Sequence, residues 1–195
     1  MLQTHGLGCE RNRRILFEDL SFQVNAGQVL RIEGGNGSGK TTLLRILCGL
    51  FTDFEGEVSW DLPAYPLYLG HKPGVKDLLT PMENLAWLAR LYGTPVPEAA
   101  VREALAIVGL NGYENTPAGS LSEGQRKRVN LARLFLLDSP AWVLDEPFSA
   151  IDVAGVERLQ QAIAAQAQKG GIVLLTSHQA LVVDAEVTTL RLGTT

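Results

Sequence analysis

Short stretches rich in apolar positions at residues 15–24 (ILFEDLSFQV) and 28–33 (QVLRIE) predict two strands. A helix is predicted from about Lys40 to Leu47, with Gly49 just past its end as a stop signal. Short strands follow near Glu57–Trp60 and Pro66–Leu69. The middle of the chain then changes to helical signals. Thr80-Pro81-Met82-Glu83 opens a helix: Thr80 can cap it, Pro81 suits the first helical position, and Glu83 completes a capping box. A second helix spans about Pro97 to Val108 and stops at Gly109, and Ser122 with Gln125 opens a third that runs to about Leu137. Strand–helix alternation then resumes. Ala141–Leu144 and Ile172–Thr176 are short continuous apolar runs, Asp152 caps a helix to about Gln168, and Val187–Leu192 is the last expected strand.

Continuous apolar strands separated by helices imply a parallel sheet covered on both faces. The expected class is α/β: a mostly parallel sheet with flanking helices, an antiparallel N-terminal β region and an inserted helical lobe. One domain is expected, its core at about 1–70 and 136–195 and its lobe at about 71–135. Composition agrees, since 195 residues with 46% hydrophobic and 19% charged side chains suffice for one full core. The net charge of −4 argues against nucleic-acid binding through bulk charge. Cys9 and Cys48 have no CxxC spacing and are expected to be free thiols in a reducing compartment. No signal peptide is expected in Met1 to Glu10, and the longest apolar runs fall far short of the roughly 18 residues that span a bilayer.

Twenty glycines are more than average usage predicts, and several fall in one run. Gly34-Gly35-Asn36-Gly37-Ser38-Gly39-Lys40-Thr41 matches GxxxxGK[ST], follows a predicted strand and opens a predicted helix. Glycines let backbone N–H groups turn around phosphate oxygens, and the helix N-terminus adds its positive dipole end. Lys40 can reach the β- and γ-phosphates, the Thr41 hydroxyl can ligate Mg²⁺, and Thr42 follows in the same helix. In this context the motif predicts a P-loop nucleotide-binding site with Mg²⁺. Trp142-Val143-Leu144-Asp145-Glu146 then ends a buried strand in two carboxylates, Asp145 for the metal and Glu146 to polarise an attacking water.

Leu121-Ser122-Glu123-Gly124-Gln125 resembles the LSGGQ signature of ATP-binding-cassette (ABC) ATPases, with Glu123 as a variation. In that family the motif closes over ATP bound to a second subunit, so the resemblance implies a nucleotide-dependent homodimer. A capped helix start at Ser122 agrees with phosphate binding. Ser149-Ala150-Ile151-Asp152 resembles the loop after the catalytic Glu that contacts the partner. Thr176-Ser177-His178 resembles the segment bearing the switch histidine that contacts the γ-phosphate. Tyr68-Leu69-Gly70-His71 falls where the family has a strand leading to a Gln, so the resemblance makes His71 a candidate metal contact in place of that Gln, and its imidazole can still bind water. The N-terminal region lacks the usual aromatic that stacks on adenine, and Arg11 or Arg13 could stack instead.

Together LRIEGGNGSGKTTLLRILCGL, YLGHKPGVK, PMENLAWLARLYG, LSEGQRKRVNLARLFL and WVLDEPFSAIDVAGVERL resemble one subfamily, the ATPase subunits of bacterial cytochrome c maturation. The resemblance implies a peripheral protein on the cytoplasmic face of the inner membrane. Its expected partners are an integral membrane permease subunit and, indirectly, a haem-handling membrane subunit and a periplasmic haem chaperone. The chain itself has no CxxCH and no His or Cys cluster for haem. A soluble ABC-type ATPase acting on nucleic acid or ribosomes is the rival class, as is a nucleotide-binding module without turnover. Among other features, Arg126-Lys127-Arg128 is expected to be a solvated helix face, with partner phosphate or an acidic patch as the alternative. Val129, Ala132, Leu136, Leu137 and Trp142 are expected in the core. Trp87 and Tyr92 suit either a groove for a membrane subunit's helix or core packing.

Overall fold

The computed structural model describes residues 1–93, 95–177 and 179–193. Among them, β1 (Leu2–Arg11), β2 (Arg14–Val24) and β4 (Glu55–Trp60) form an antiparallel sheet in the order β2-β1-β4. The strands β3 (Gln28–Glu33), β5 (Leu67–Leu69), β6 (Ala141–Leu144), β7 (Ile172–Thr176) and β8 (Glu186–Arg191) form a parallel sheet in the order β5-β6-β7-β3-β8. The helices are α1 (Lys40–Leu47), α2 (Pro81–Leu91), α3 (Glu98–Ile107), α4 (Glu123–Leu131), α5 (Arg133–Leu136) and α6 (Val153–Gln168). This is the α/β architecture that the apolar runs imply.

Two elements differ from the periodicity. β1 was not among the strands it predicted, because the pairing of β1 with β2 shifts register between Thr4 and Leu7, between Leu7 and Cys9, and between Cys9 and Glu10. The buried positions Leu2, Thr4, Leu7, Gly8 and Cys9 therefore do not alternate. The single helix expected from Ser122 to Leu137 is two, α4 and α5, which meet at Ala132.

The chain divides into two compact units. The first comprises Met1–His71, Ser139–Pro147 and Gln160–Thr195; the second comprises Lys72–Asp138 and Phe148–Leu159. In the first, one hydrophobic core joins both sheets through α1. Leu2, Leu7, Phe17 and Val24 of the antiparallel sheet share it with Leu43, Leu44, Ile46 and Leu47 of α1 and with Leu30, Ile32, Val143, Ile172 and Leu174 of the parallel sheet. The intervening residues Val29, Trp142, Leu144, Val173 and Leu175 are buried as well, so β6 and β7 are apolar on both faces. Burial on both sides favours β-branched and other bulky apolar residues throughout these strands. The indole Nε1 of Trp60 donates to the Leu47 carbonyl at 2.7 Å, satisfying one of the carbonyls that a helix end leaves open. Both cysteines are free.

The second unit carries α2 to α5. The Thr80 hydroxyl accepts the Glu83 N–H at 3.2 Å and the Glu83 carboxylate accepts the Thr80 N–H at 2.8 Å, so the capping box is complete. Asn84, almost fully buried, accepts the Lys76 N–H and donates to the carbonyls of Lys76, Leu79 and Thr80, which fixes the loop before α2. Arg133 is buried and donates to the Tyr92 hydroxyl at 3.2 Å and to Asn130 at 3.0 Å. Tyr92 thus packs within its own unit, whereas Trp87 is half-exposed with the Lys76 ammonium 4.6 Å from its ring centre.

Candidate active site

The glycine run leaves β3 at Glu33 and enters α1 at Lys40, as a phosphate cradle requires. Gly37 and Gly39 hold φ of 78° and 96°, a backbone state that other residues adopt only with strain. A Cβ on Gly34 would run into the Ser38 hydroxyl and lie 2.8 Å from the Leu192 carbonyl oxygen, whereas one on Gly35 would meet nothing within 4 Å. Lys40 Nζ donates to the carbonyls of Gly34 at 2.7 Å and Gly35 at 3.1 Å. No carboxylate pairs with it among the described residues. Ser38 Oγ is buried with no hydrogen-bond partner among the described residues.

Beside the loop sits a polar hub built by two parallel strands and a helix. Asp145, just past β6, is 2% exposed. Its Oδ2 accepts the Thr41 hydroxyl at 2.9 Å and its Oδ1 accepts the Thr176 hydroxyl at 2.9 Å. Thr176, fully buried at the end of β7, also accepts the Glu146 N–H at 2.8 Å. One hydroxyl therefore orients Asp145 and fixes the backbone of Glu146. Glu146 stands at φ 50°, left-handed for a residue with a Cβ, which costs on the order of 1 kcal/mol or more. The negative Asp145 also bears on Tyr68 of β5. Burial first and that carboxylate second push the Tyr68 phenol up to about 12.

In the second unit, Ser122 caps α4, with its hydroxyl accepting the Gln125 N–H and Gln125 Oε1 accepting the Ser122 N–H. A Cβ on Gly124 would lie 2.8 Å from the Ala150 carbonyl oxygen, so a glycine there lets α4 approach the 149–152 loop. Lys127 donates to Ser149 in the same loop and is buried. Arg126 pairs with Asp77 at 3.1 Å, and Arg128 donates to the Gly109 carbonyl. The expected solvated face is thus mostly engaged: these cations fasten α4 to neighbouring loops. Glu123 is exposed in the first turn.

The remaining expected residues fall as follows. His71 is exposed and, among the described residues, makes no hydrogen bond or ion pair. Among those residues, no group of three or more His, Cys, Asp or Glu forms a metal cluster. His178 lies outside the described residues. Arg11 lies over the Phe51 ring, 5.5 Å from its centre, and Arg13 occupies the turn between β1 and β2. Sequence reasoning missed Thr176. Its only signal is a hydroxyl at the end of an otherwise apolar strand.

A family model described as ABC transporter matches residues 17–149. The chain is 50% identical to the "Cytochrome c biogenesis ATP-binding export protein CcmA" of Hahella chejuensis, over 99% of this chain and 96% of that one. The chain belongs to the ABC transporter family. A Pseudomonas fluorescens protein of the same description is 46% identical, over 93% of this chain and 90% of that one. Among solved structures, an ABC transporter ATP-binding protein from Pyrococcus furiosus superposes with a TM-score of 0.83 at 25% identity, covering 98% of this chain and 96% of that one. The bacterial ABC transporter cassette MJ0796 gives 0.83 at 22% identity, covering 98% and 94%, a likeness of fold. This ABC chain is thus an ATP-binding, ATP-hydrolysing transporter subunit. Its glycine loop fits a phosphate chain, since the buried Ser38 hydroxyl has no hydrogen-bond partner among the described residues and Gly37 and Gly39 hold backbone states that favour glycine. The Thr41 and Asp145 oxygens are a hard-donor pair of the kind Mg²⁺ takes in addition to phosphate oxygens.

Proposed function

We propose that this chain is the ATPase of a cytochrome c biogenesis export system, working as a nucleotide-bridged pair of copies beneath an integral membrane permease. The carrying observation is identity of about half the residues, over nearly the full length of both chains, with proteins described as cytochrome c biogenesis ATP-binding export proteins. On this reading the 34–42 segment holds ATP. Loop N–H groups take phosphate oxygens, and Lys40 exchanges its two carbonyl acceptors for the β- and γ-phosphates. Thr41 and Asp145 hold Mg²⁺, which offsets the charge of the phosphates. Glu146 orients the attacking water and accepts its proton as the γ-phosphate leaves ADP in line. His178 contacts that phosphate. Ser122 to Gln125 supply a capped helix start to the other copy's nucleotide, so each copy completes its twin's site.

Closure around ATP and reopening after hydrolysis would then drive the membrane partner, through the loop that begins at His71 and through Trp87. The cycle would serve haem delivery to a periplasmic chaperone. No helix of the described residues is long and apolar enough to cross a membrane, so attachment depends on that partner. Co-purification from detergent-solubilised membranes tests this: the chain should bring down an integral membrane subunit whose removal abolishes its membrane association. Recovery of nucleic acid or ribosomes with no membrane protein would reject it. Lys40→Ala should abolish nucleotide binding, and retained binding would reject the assignment of the loop.

A further inference from the structure

The glycine loop has a cationic neighbour that its motif does not include. Asn12 and Arg13, with φ of 52° and 61°, make a two-residue hairpin turn between β1 and β2. That turn places Arg14 at the first position of β2, opposite Arg11. From there β2 runs hard against the loop. A Cβ on Gly39 would lie 3.0 Å from Leu16 Cβ and 3.2 Å from the Phe17 ring, so strand and loop touch with no space for a side chain. Arg14 reaches the same loop: its Nη1 is 3.5 Å from the point a Gly37 Cβ would occupy. It is exposed and, among the described residues, has no carboxylate or carbonyl partner.

We propose that Arg14 is a phosphate-binding residue of this site, taking oxygens of the nucleotide's phosphate chain where it passes Gly37. The proposal rests on the reading of the 34–42 segment as the ATP site. A guanidinium is a planar fork of donors matched to two oxygens of one phosphate, and a charged partner makes such bonds about twice as strong as neutral ones. Lying against Gly37, it reaches the group held by the loop, whereas the base is separated from that group by the ribose and a phosphate. Next in the chain, Ser38 offers a second polar group without a hydrogen-bond partner among the described residues.

Calorimetric titration of the full chain with MgATP, with inorganic tripolyphosphate and with adenosine tests this. Arg14→Ala should weaken both MgATP and tripolyphosphate by about tenfold and leave adenosine unchanged. Arg14→Lys, which keeps the charge and guards against misfolding, should recover part of the loss. Lys169→Ala, which removes an exposed charge elsewhere, should stay within about twofold. If Arg14→Ala binds MgATP like the parent while Lys40→Ala does not, Arg14 is excluded and the loop assignment stands. Weakened MgATP with unchanged tripolyphosphate would transfer Arg14 to the base and overturn the proposal. A parent chain that binds no MgATP would overturn the site itself.

Discussion

Thr176→Val isolates the hub that joins the two carboxylates. Valine keeps the branched shape and exchanges the hydroxyl for a methyl, so no cavity opens. Two bonds are lost: the one donated to Asp145 Oδ1 at 2.9 Å and the one accepted from the Glu146 N–H at 2.8 Å. The first goes to a carboxylate, worth about 1.5–3 kcal/mol, and the second leaves a backbone donor unsatisfied, about 1–3 kcal/mol. Thr176 is fully buried, so water cannot replace either. The expected destabilisation is about 3–5 kcal/mol, a fall in melting temperature of about 10 °C for a chain of this size. Turnover should fall as well, because Glu146 loses the contact that holds its left-handed backbone. Differential scanning calorimetry beside a phosphate-release assay measures both. Thr188→Val, at an exposed position on β8, should change stability by no more than about 0.5 kcal/mol. A Thr176→Val chain melting within about 3 °C of the parent would refute the hub.

Glu146→Gln should retain ATP binding and lose about 10²–10⁴-fold in turnover, with an ATP-held dimer accumulating in size-exclusion chromatography; unimpaired phosphate release would remove Glu146 from its role. Gly34→Ala should weaken MgATP by at least about tenfold, because the new methyl meets Ser38 Oγ and a backbone carbonyl; parental affinity by calorimetry would contradict the cradle geometry. Burial pushes the Cys48 thiol from 9.0 up to about 12 and the Tyr68 phenol from 10.0 up to about 12, so the folded chain keeps both protonated where the unfolded chain ionises them. Their contribution to stability is therefore full below about pH 8 and falls as pH rises from about 9 towards 12. Urea midpoints should drop between pH 8 and pH 11, and equal midpoints would count against it.

Most of the parallel sheet was legible because strands buried on both faces read as unbroken apolar runs, as in Ala141–Leu144 and Ile172–Thr176. The helix starts at Thr80 and Ser122 were legible because capping is local chemistry. What local pattern could not give was long-range geometry. β1 hid behind its register shifts. The buried state of Lys127 depends on Ser149, which lies far from it in the chain. The glycine loop and the two carboxylates stood out by composition, but Thr176 and Arg14 gain their places only from what the fold brings beside them.

The strand order has a consequence for how such a molecule can be made. β3, which carries the glycine loop, is flanked by β7 and β8, the last two strands in the chain, with Val29 paired to Val173 and Val187. A nascent chain emerging from the ribosome therefore presents an unpaired, apolar β3 until β7 and β8 are made, with only the antiparallel sheet and α1 to shelter it. Sheet closure waits for the final segment, and the Thr41–Asp145 bond spans 104 positions. Slow folding follows from this topology. A copy stalled or clipped before β7 would carry a complete glycine motif on a strand with neither of its parallel neighbours.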